Sequence, residues 1–581
     1  MTKTRAPLTR RYFLGATAVL PAAAALAACE SAVGPSDASV RPGDASRGVD
    51  AAAPDGYVPD FDASAPQDAG ALVDAPEPTP GCGPLPSIDL VRDCGAVGDG
   101  TTDDTDAFQR AAAMIQAAGG GELTIPARTY LVGRQTIKPP GTSGPYYRPE
   151  NIFTVQDLSC LKISGHGATM RLAPGLHYGA FDPTTGAAIA GPTAARDAGA
   201  HVGRMFEIST STGVVIEGLE LDGNSTELVL GGQWGNISRQ SSAAGIWVNR
   251  CTDVRVQDVW THHHGLDGIT VLHRGGPPPR RMPHTLVRVV SEYNGRQGLS
   301  WIGGWGLEAT DCKFNHTGRA INRGGGEDDG VPLASLPGAG FDIEPNARTT
   351  EIAREGLFTR CEFIDNVGAG MVAAEGDGGY TTFVDCTFWA TTSYSIWANR
   401  PGLVFRGCRI YGSAHHAHDG HTTEGGAPNP ELAVLFEDCE FEDREWTDGN
   451  VSRRNNLYTV PDGSEGATWR RCTFTSHRVR AVFMGNPSAP ELFEECVFVF
   501  SNAALSANTY QARFQGSAMV SCEFRESPEI AGGSRRYYID VEDVVVLAPA
   551  AGESPTTVEG PRVRWQSIDG PIGVIPPGRY G

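Results

Sequence analysis

Seven cysteines in this chain are each followed, two residues on, by phenylalanine, and that repeat limits the fold more than any other feature. The seven read Cys312-Lys313-Phe314, Cys361-Glu362-Phe363, Cys386-Thr387-Phe388, Cys439-Glu440-Phe441, Cys472-Thr473-Phe474, Cys496-Val497-Phe498 and Cys522-Glu523-Phe524. Cys408-Arg409-Ile410 is a near match. From Cys312 the steps are 49, 25, 22, 31, 33, 24 and 26 residues. Repeats of roughly 20–30 residues built on alternating strands mark a solenoid. Alternation puts each Cys and its Phe on one strand face. Stacked coils would then carry an inward file of thiols beside a file of rings. The rival reading is a disulfide framework, but equivalent positions on adjacent coils point the same way, and free cysteine behaves as a small buried hydrophobe. Cys82 and Cys94 flank the start of the repeat region and can pair with each other.

Composition agrees with a turn-rich all-β chain: 73 Gly and 40 Pro among 581 residues. The formal net charge of -21 argues against nucleic acid, which requires a basic face. It leaves room for an anionic glycan in a locally basic groove.

The N-terminus reads as an address. Thr9-Arg10-Arg11-Tyr12-Phe13-Leu14 looks like a twin-arginine export signal, and Leu26-Ala27-Ala28-Cys29 resembles a lipobox. Residues 1–29 are thus expected to be a signal peptide, with Cys29 lipidated and the protein held at the bacterial cell envelope or surface by that lipid alone. Residues 30–84 hold ten acidic against two basic residues and are rich in Ala, Pro, Ser and Asp. Such a stretch buries too little apolar surface to offset its chain entropy and reads as a disordered tether. The solenoid is expected over 85–545, and 546–581 as a C-terminal cap or tail.

The domain opens with Asp93-Cys94-Gly95-Ala96-Val97-Gly98-Asp99-Gly100-Thr101-Thr102-Asp103-Asp104-Thr105, a helical pattern through Ala117, then Gly119-Gly120-Gly121-Glu122-Leu123-Thr124-Ile125-Pro126 and Thr129-Tyr130-Leu131-Val132. This segment resembles the opening of the pectate-lyase-like family, which includes rhamnogalacturonases and epimerase-like β-helices. The resemblance is strong over residues 88–133 and loose to about 545. It implies an all-β right-handed parallel β-helix capped by a helix near 104–118, and a polysaccharide as ligand. Asp99, Asp103 and Asp104 read as structural, since Asp at a helix start satisfies free N–H groups.

A second set of strands begins with a small residue: Gly245-Ile246-Trp247-Val248-Asn249, Gly268-Ile269-Thr270, Gly298-Leu299-Ser300, Gly340-Phe341-Asp342-Ile343-Glu344, Gly370 to Glu375, and Ser395-Ile396-Trp397-Ala398-Asn399-Arg400. Alternation sends Trp247, Asn249, Thr270, Ser300, Asp342, Glu344, Trp397 and Asn399 outward along one side, a polar stripe with tryptophans toward its ends that suits sugar rings. Glu375 and Arg400 extend it. A one-residue slip in register would invert the face. Asp342 and Glu344 are the sharpest pair. Carboxylates at i and i+2 sit about 6.5–7 Å apart at the backbone, near the ~6.5–9.5 Å of inverting glycosidases; the plain reading is a solvated strand face. A long insertion, Arg319 to Gly338, brings Arg319 and Arg323 as candidate substrate ligands, while its Glu327, Asp328 and Asp329 offer oxygens of the type calcium takes.

Asp267, after His262-His263-His264, resembles the Asp-Gly turn near polygalacturonase sites, and Arg296 can bind a uronate or act as a lyase base. The full polygalacturonase set is absent, and so is the Tyr-Gly-Phe-Asp-Pro-His string of alginate epimerases. The His-rich loop of His415, His416, His418, Asp419 and His421 allows metal binding but fits no standard site, and the cysteines are not spaced like zinc ligands. The expectation is an extracellular enzyme that cleaves an acidic glycan, hydrolysis ahead of β-elimination. The alternatives are a non-catalytic glycan-binding adhesin and a uronan epimerase.

Overall fold

The structure, a computed structural model, describes residues 85–477 except 236–238, 327–328, 347–349, 375, 417–431, 449–450, 455–458 and 462–465, and beyond 477 short segments between 491 and 580. Cys29, Cys82, the tether, Glu375 and most of the His-rich loop lie outside the described residues.

The described residues form a right-handed parallel β-helix. Three strands per coil pair in parallel with their counterparts on the next coil. Sheet 1 includes Phe153–Gln156, Phe206–Ser209, Ile246–Asn249, Asp267–Leu272, Gln297–Trp301, Ala339–Ile343, Met371–Ala373 and the end of Thr387–Ala398. Sheet 2 includes Thr252–Gln257, His284–Val287, Gly304–Thr310 and Ile352–Thr359. Sheet 3 includes Trp260–His262, Val290–Glu292, Lys313–Asn315 and Glu362–Ile364. The ladder runs past the expected boundary at 545: Glu523–Glu526 still pairs in parallel with Thr556–Val558.

One helix, α1 (Thr105–Ala118), caps the first coil. Ala107, Phe108, Ala111, Ala112 and Ile115 make its buried stripe, and Gly119 ends it at φ 74°. Its Gln116 amide completes the exposed edge of sheet 1: Nε2 donates to Gln156 O and Oε1 accepts from Gln156 N, both at 2.9 Å. This blunts an edge that would otherwise template aggregation. The aspartates before the helix are structural: Asp103 Oδ1 accepts from Thr105 N, the first residue of the helix, at 2.9 Å. Asp104 accepts from the amides of Val97 and Gly98 at 2.7 and 2.9 Å, and Asp99 from Thr101 and Thr102.

The core contains the expected ladder. Cys312, Cys361, Cys386, Cys408, Cys439, Cys472, Cys496 and Cys522 are all free and buried. Each thiol of Cys361, Cys386, Cys408 and Cys439 donates to the carbonyl two residues back and to one on the preceding coil, at 3.3–3.6 Å. Burial pushes the thiols of Cys361, Cys408 and Cys472 well above their ordinary value, so they stay protonated donors. The pairing read for Cys94 does not form: Cys94 is free and buried, while Cys160 is disulfide-bonded. Beside the thiols, Phe383, Phe405, Phe436 and Trp469 stack at 4.9, 4.8 and 4.2 Å between ring centroids.

The turn from sheet 2 to sheet 3 places one residue per coil in the left-handed region, φ 50–55° at Asp258, Arg288, Asp311, Arg360 and Asp385. Asp tolerates that conformation. The alternating charges then pair between coils: Arg288 grips Asp258 and Arg360 grips Asp311 through two bonds each, at 2.6–2.9 Å.

Candidate functional site

Strand register puts Trp247, Thr270, Ser300, Asp342, Val372 and Trp397 in one file across six coils of sheet 1. Phe341 and Ile343 fill the core between them, fully buried, so the expected parity holds. The file is not an open stripe, however. Thr270, Ser300 and Asp342 are buried, Asp342 only 4% exposed.

What closes over them is Arg296, from the turn that leads into the Ser300 strand. Its Nε and Nη2 grip Asp267 Oδ1 and Oδ2 at 2.7 and 2.6 Å. The same Nη2 reaches Ser300 Oγ at 3.3 Å and Glu344 Oε1 at 3.1 Å. Ser300 Oγ donates to Glu344 Oε1 at 2.6 Å, Thr270 Oγ1 to Asp267 Oδ2 at 3.1 Å, and Gln297 Nε2 to Asp342 Oδ2 at 2.6 Å. Asp267, Arg296 and Glu344 therefore belong to one network spanning three coils, and Gln297, which bonds both Glu344 and Asp342, joins Asp342 to it. Asp267 is 1% exposed at its side chain, whereas the Glu344 side chain is 24% exposed and is the carboxylate that meets solvent.

Electrostatics divides the roles. Burial pushes the Glu344 carboxyl above the usual range and the Asp267 charge adds to this, while Arg296 and Ser300 oppose it. Burial also works against the Arg296 charge, but Asp267 and Glu344 outweigh it and hold the guanidinium protonated. Burial, and not repulsion between Asp342 and Glu344, is the largest cause of the Glu344 shift.

Several expected substrate ligands are already engaged. Trp247 is 8% exposed, with the Arg204 guanidinium 4.3 Å from its ring centroid, so it is not a free platform for a sugar. Asn249 Oδ1 accepts from Arg274 N at 3.2 Å. Arg319 does not join the Asp342 network: it binds Asp365, Thr391 and Thr392. Arg323 is exposed on the insertion, where its backbone N bonds Thr226 O. Trp397 is half-buried, edge-on to Tyr394 at 5.6 Å. Asn399 is half-buried beside it, and Arg400 donates to Ala374 O. Glu375 lies outside the described residues, as do Glu327 and Asp328; Asp329 Oδ1 accepts from Gly325 N, a local turn contact.

The sequence reading missed a second polar file, on the outer face of sheet 3: Arg171, Asp222, His262, Glu292 and Asn315. Beside it the rings of His263, Tyr293 and His316 stack at 5.2 and 4.8 Å. Burial and the neighbouring His262 push His263 down to about 4. The triple-histidine run was a signal for this file. Its partner Asp222 lies one coil back, and nothing in the local sequence shows that.

No family model and no curated protein matches the chain. Among solved structures it is similar to the A-module of a mannuronan C-5 epimerase from Azotobacter vinelandii, at 13% identity over 80% of this chain and 100% of that one, TM-score 0.31. It is also similar to an exopolygalacturonase from Thermotoga maritima, at 10% identity over 83% and 92%, TM-score 0.28. A tailspike protein mutant of E. coli bacteriophage HK620 in complex with a pentasaccharide aligns at 12% identity over 78% of each chain, TM-score 0.39. At these identities and scores no property of those proteins passes to this chain.

Proposed function

We propose that the chain is an exported enzyme that cleaves an acidic polysaccharide, with hydrolysis ahead of β-elimination. The observation that carries the reading is Glu344: a partly exposed carboxyl whose proton is held by burial, at the surface of an otherwise buried charge network. A protonated carboxyl of this kind serves as general acid to a glycosidic oxygen. Asp342, two residues away, supplies the second carboxylate. Arg204, Arg274 and Arg400 flank the strands of sheet 1 and suit the carboxylates of a uronan. Export by the twin-arginine-like signal, with a lipid on Cys29 and residues 30–84 as spacer, belongs to the same reading.

The test is a panel of acidic and neutral polysaccharides given to the purified protein, read by reducing ends and by ultraviolet absorbance of unsaturated uronates. Hydrolysis yields reducing ends without absorbance; elimination yields both. Glu344→Gln abolishes turnover and spares binding. The burial of Asp342 favours a second reading, a surface glycan binder that cleaves nothing. It takes over if the wild type retains glycans but releases no product from any of them.

A further inference from the structure

The outer face of sheet 3 carries a group that the glycan reading does not use. Asp222 and His262 are register partners on neighbouring coils. Consecutive strand residues point to opposite faces, so His263 would ordinarily face away from His262. Its left-handed backbone, φ 54°, turns the ring back. As a result His262 Nδ1 and His263 Nδ1 stand 2.7 Å apart, and Asp222 Oδ1 is 3.8 Å from His262 Nδ1. One donor atom from each of the three lies within 4.8 Å of the other two.

Each of these side chains is held from behind. Glu220 Oε1 lies 3.2 Å from His262 Nε2, and Thr169 Oγ1 donates to the other Glu220 oxygen at 2.5 Å. Arg171 Nε binds Asp222 Oδ2 at 2.6 Å, and Asn224 N donates to Asp222 Oδ1 at 2.8 Å. The His262 ring packs on Trp260 at 4.0 Å and the His263 ring on Tyr293 at 5.2 Å. A carboxylate behind a histidine fixes its tautomer: the outer nitrogen keeps the proton and the inner lone pair is left bare. Two imidazole nitrogens and one carboxylate oxygen are the donor set of zinc and related first-row ions with a position left for water.

We propose that Asp222, His262 and His263 form a divalent transition-metal site, zinc in class, that ties two neighbouring coils together. Tetrahedral bonds of ~2.0–2.1 Å separate two ligand nitrogens by ~3.3 Å, so the two rings part slightly on binding. Asp222 and His262 are buried and His263 is half-buried, which leaves the His263 side as the entry path.

The test titrates the metal-free full chain with Co2+ and with Zn2+. One equivalent of Co2+ is expected to give the visible absorption of a four-coordinate ion, and Zn2+ to displace it and raise the denaturation midpoint. His262→Asn with His263→Asn is expected to abolish both effects. Glu220→Gln, which leaves all three donors in place, is expected to weaken binding by about 10–100-fold with the β-sheet circular dichroism unchanged. A His418→Asn, His421→Asn variant is the control for adventitious binding in the His-rich loop and is expected to bind like the wild type. The proposal is overturned if stoichiometric binding survives loss of His262 and His263, if it disappears with the loop variant, if Glu220→Gln folds and binds like the wild type, or if the wild type takes up no equivalent of either ion.

Discussion

Arg296 draws Asp267, Ser300 and Glu344 onto one guanidinium. Removing it strands the Asp267 charge in a site that is 1% exposed. Arg296→Ala is therefore expected to cost about 3–5 kcal/mol, read as a shift in the urea midpoint at constant slope. A loss below ~1 kcal/mol would mean that water reaches Asp267. Glu344 adds a pH signature. Its folded proton affinity is raised, so the folded state binds more protons than the unfolded chain above the ordinary carboxylate value. Stability is then lost as pH rises through the folded value. Glu344→Gln should flatten that fall, and an unchanged slope would place the titration elsewhere. The outward parity of Asp342 was legible in sequence because Phe341 and Ile343 bracket it. The grip of Arg296 on Asp267 was not, because coil lengths vary from 22 to 49 residues between repeats and hide which side chains become neighbours.

Within the coils, the small residue that opens each strand of sheet 1 has a steric cause. A Cβ at Gly340 would lie 2.5 Å from Phe314 O and 2.7 Å from the Asn366 amide, and one at Gly298 would lie 2.7 Å from Gly340 O. The space at Gly340 is filled by Asn366, whose Oδ1 accepts from Thr317 N at 2.9 Å, and the equivalent space at Gly268 by Asn294, whose Oδ1 accepts from His264 N at 3.0 Å. Gly340→Ala is expected to destabilise by about 1–3 kcal/mol or more, since backbone atoms cannot give way. By contrast Arg288→Ala, which removes an exposed corner pair, should cost less than ~1 kcal/mol. Thermal melts of the two variants side by side decide whether the column of small residues or the column of charges holds the coils in register. The glycines were visible in sequence as strand starts, but their reason was not, because the atoms they avoid belong to neighbouring coils.

Across the whole molecule, two bulk properties follow from what is buried. Ten described cysteines are free and buried, so a thiol reagent should label none of them in the native protein and all of them in denaturant, as counted by mass spectrometry. Rapid native labelling would mean that the coils open. His201 and His284 are both pushed down to about 4 from 6.5, chiefly by burial. Between those values the unfolded chain binds the protons and the fold does not, so stability falls as pH drops from 6.5 toward 4. Denaturation midpoints across that window should show the loss, and His284→Gln should reduce it. The fold was legible from the sequence because its signal repeats in every coil, whereas each cluster on its surface occurs once.

The insertion that follows Asn315 reaches back three coils: Asn322 Nδ2 donates to Ser225 O and Leu228 O at 3.1 and 2.7 Å, and Arg323 N bonds Thr226 O. An ideal solenoid is a one-dimensional lattice in which each unit feels only its neighbours and can melt alone. This strap adds a coupling of longer range, so the coils between Asp222 and Asn315 should open together. Hydrogen exchange would then report one shared opening free energy for the sheet 1 strands from Ile246 to Trp301, and graded values from Met371 onward. With Asn322→Ala the shared value should break into steps, turning a single cooperative block into a stack that frays from its ends.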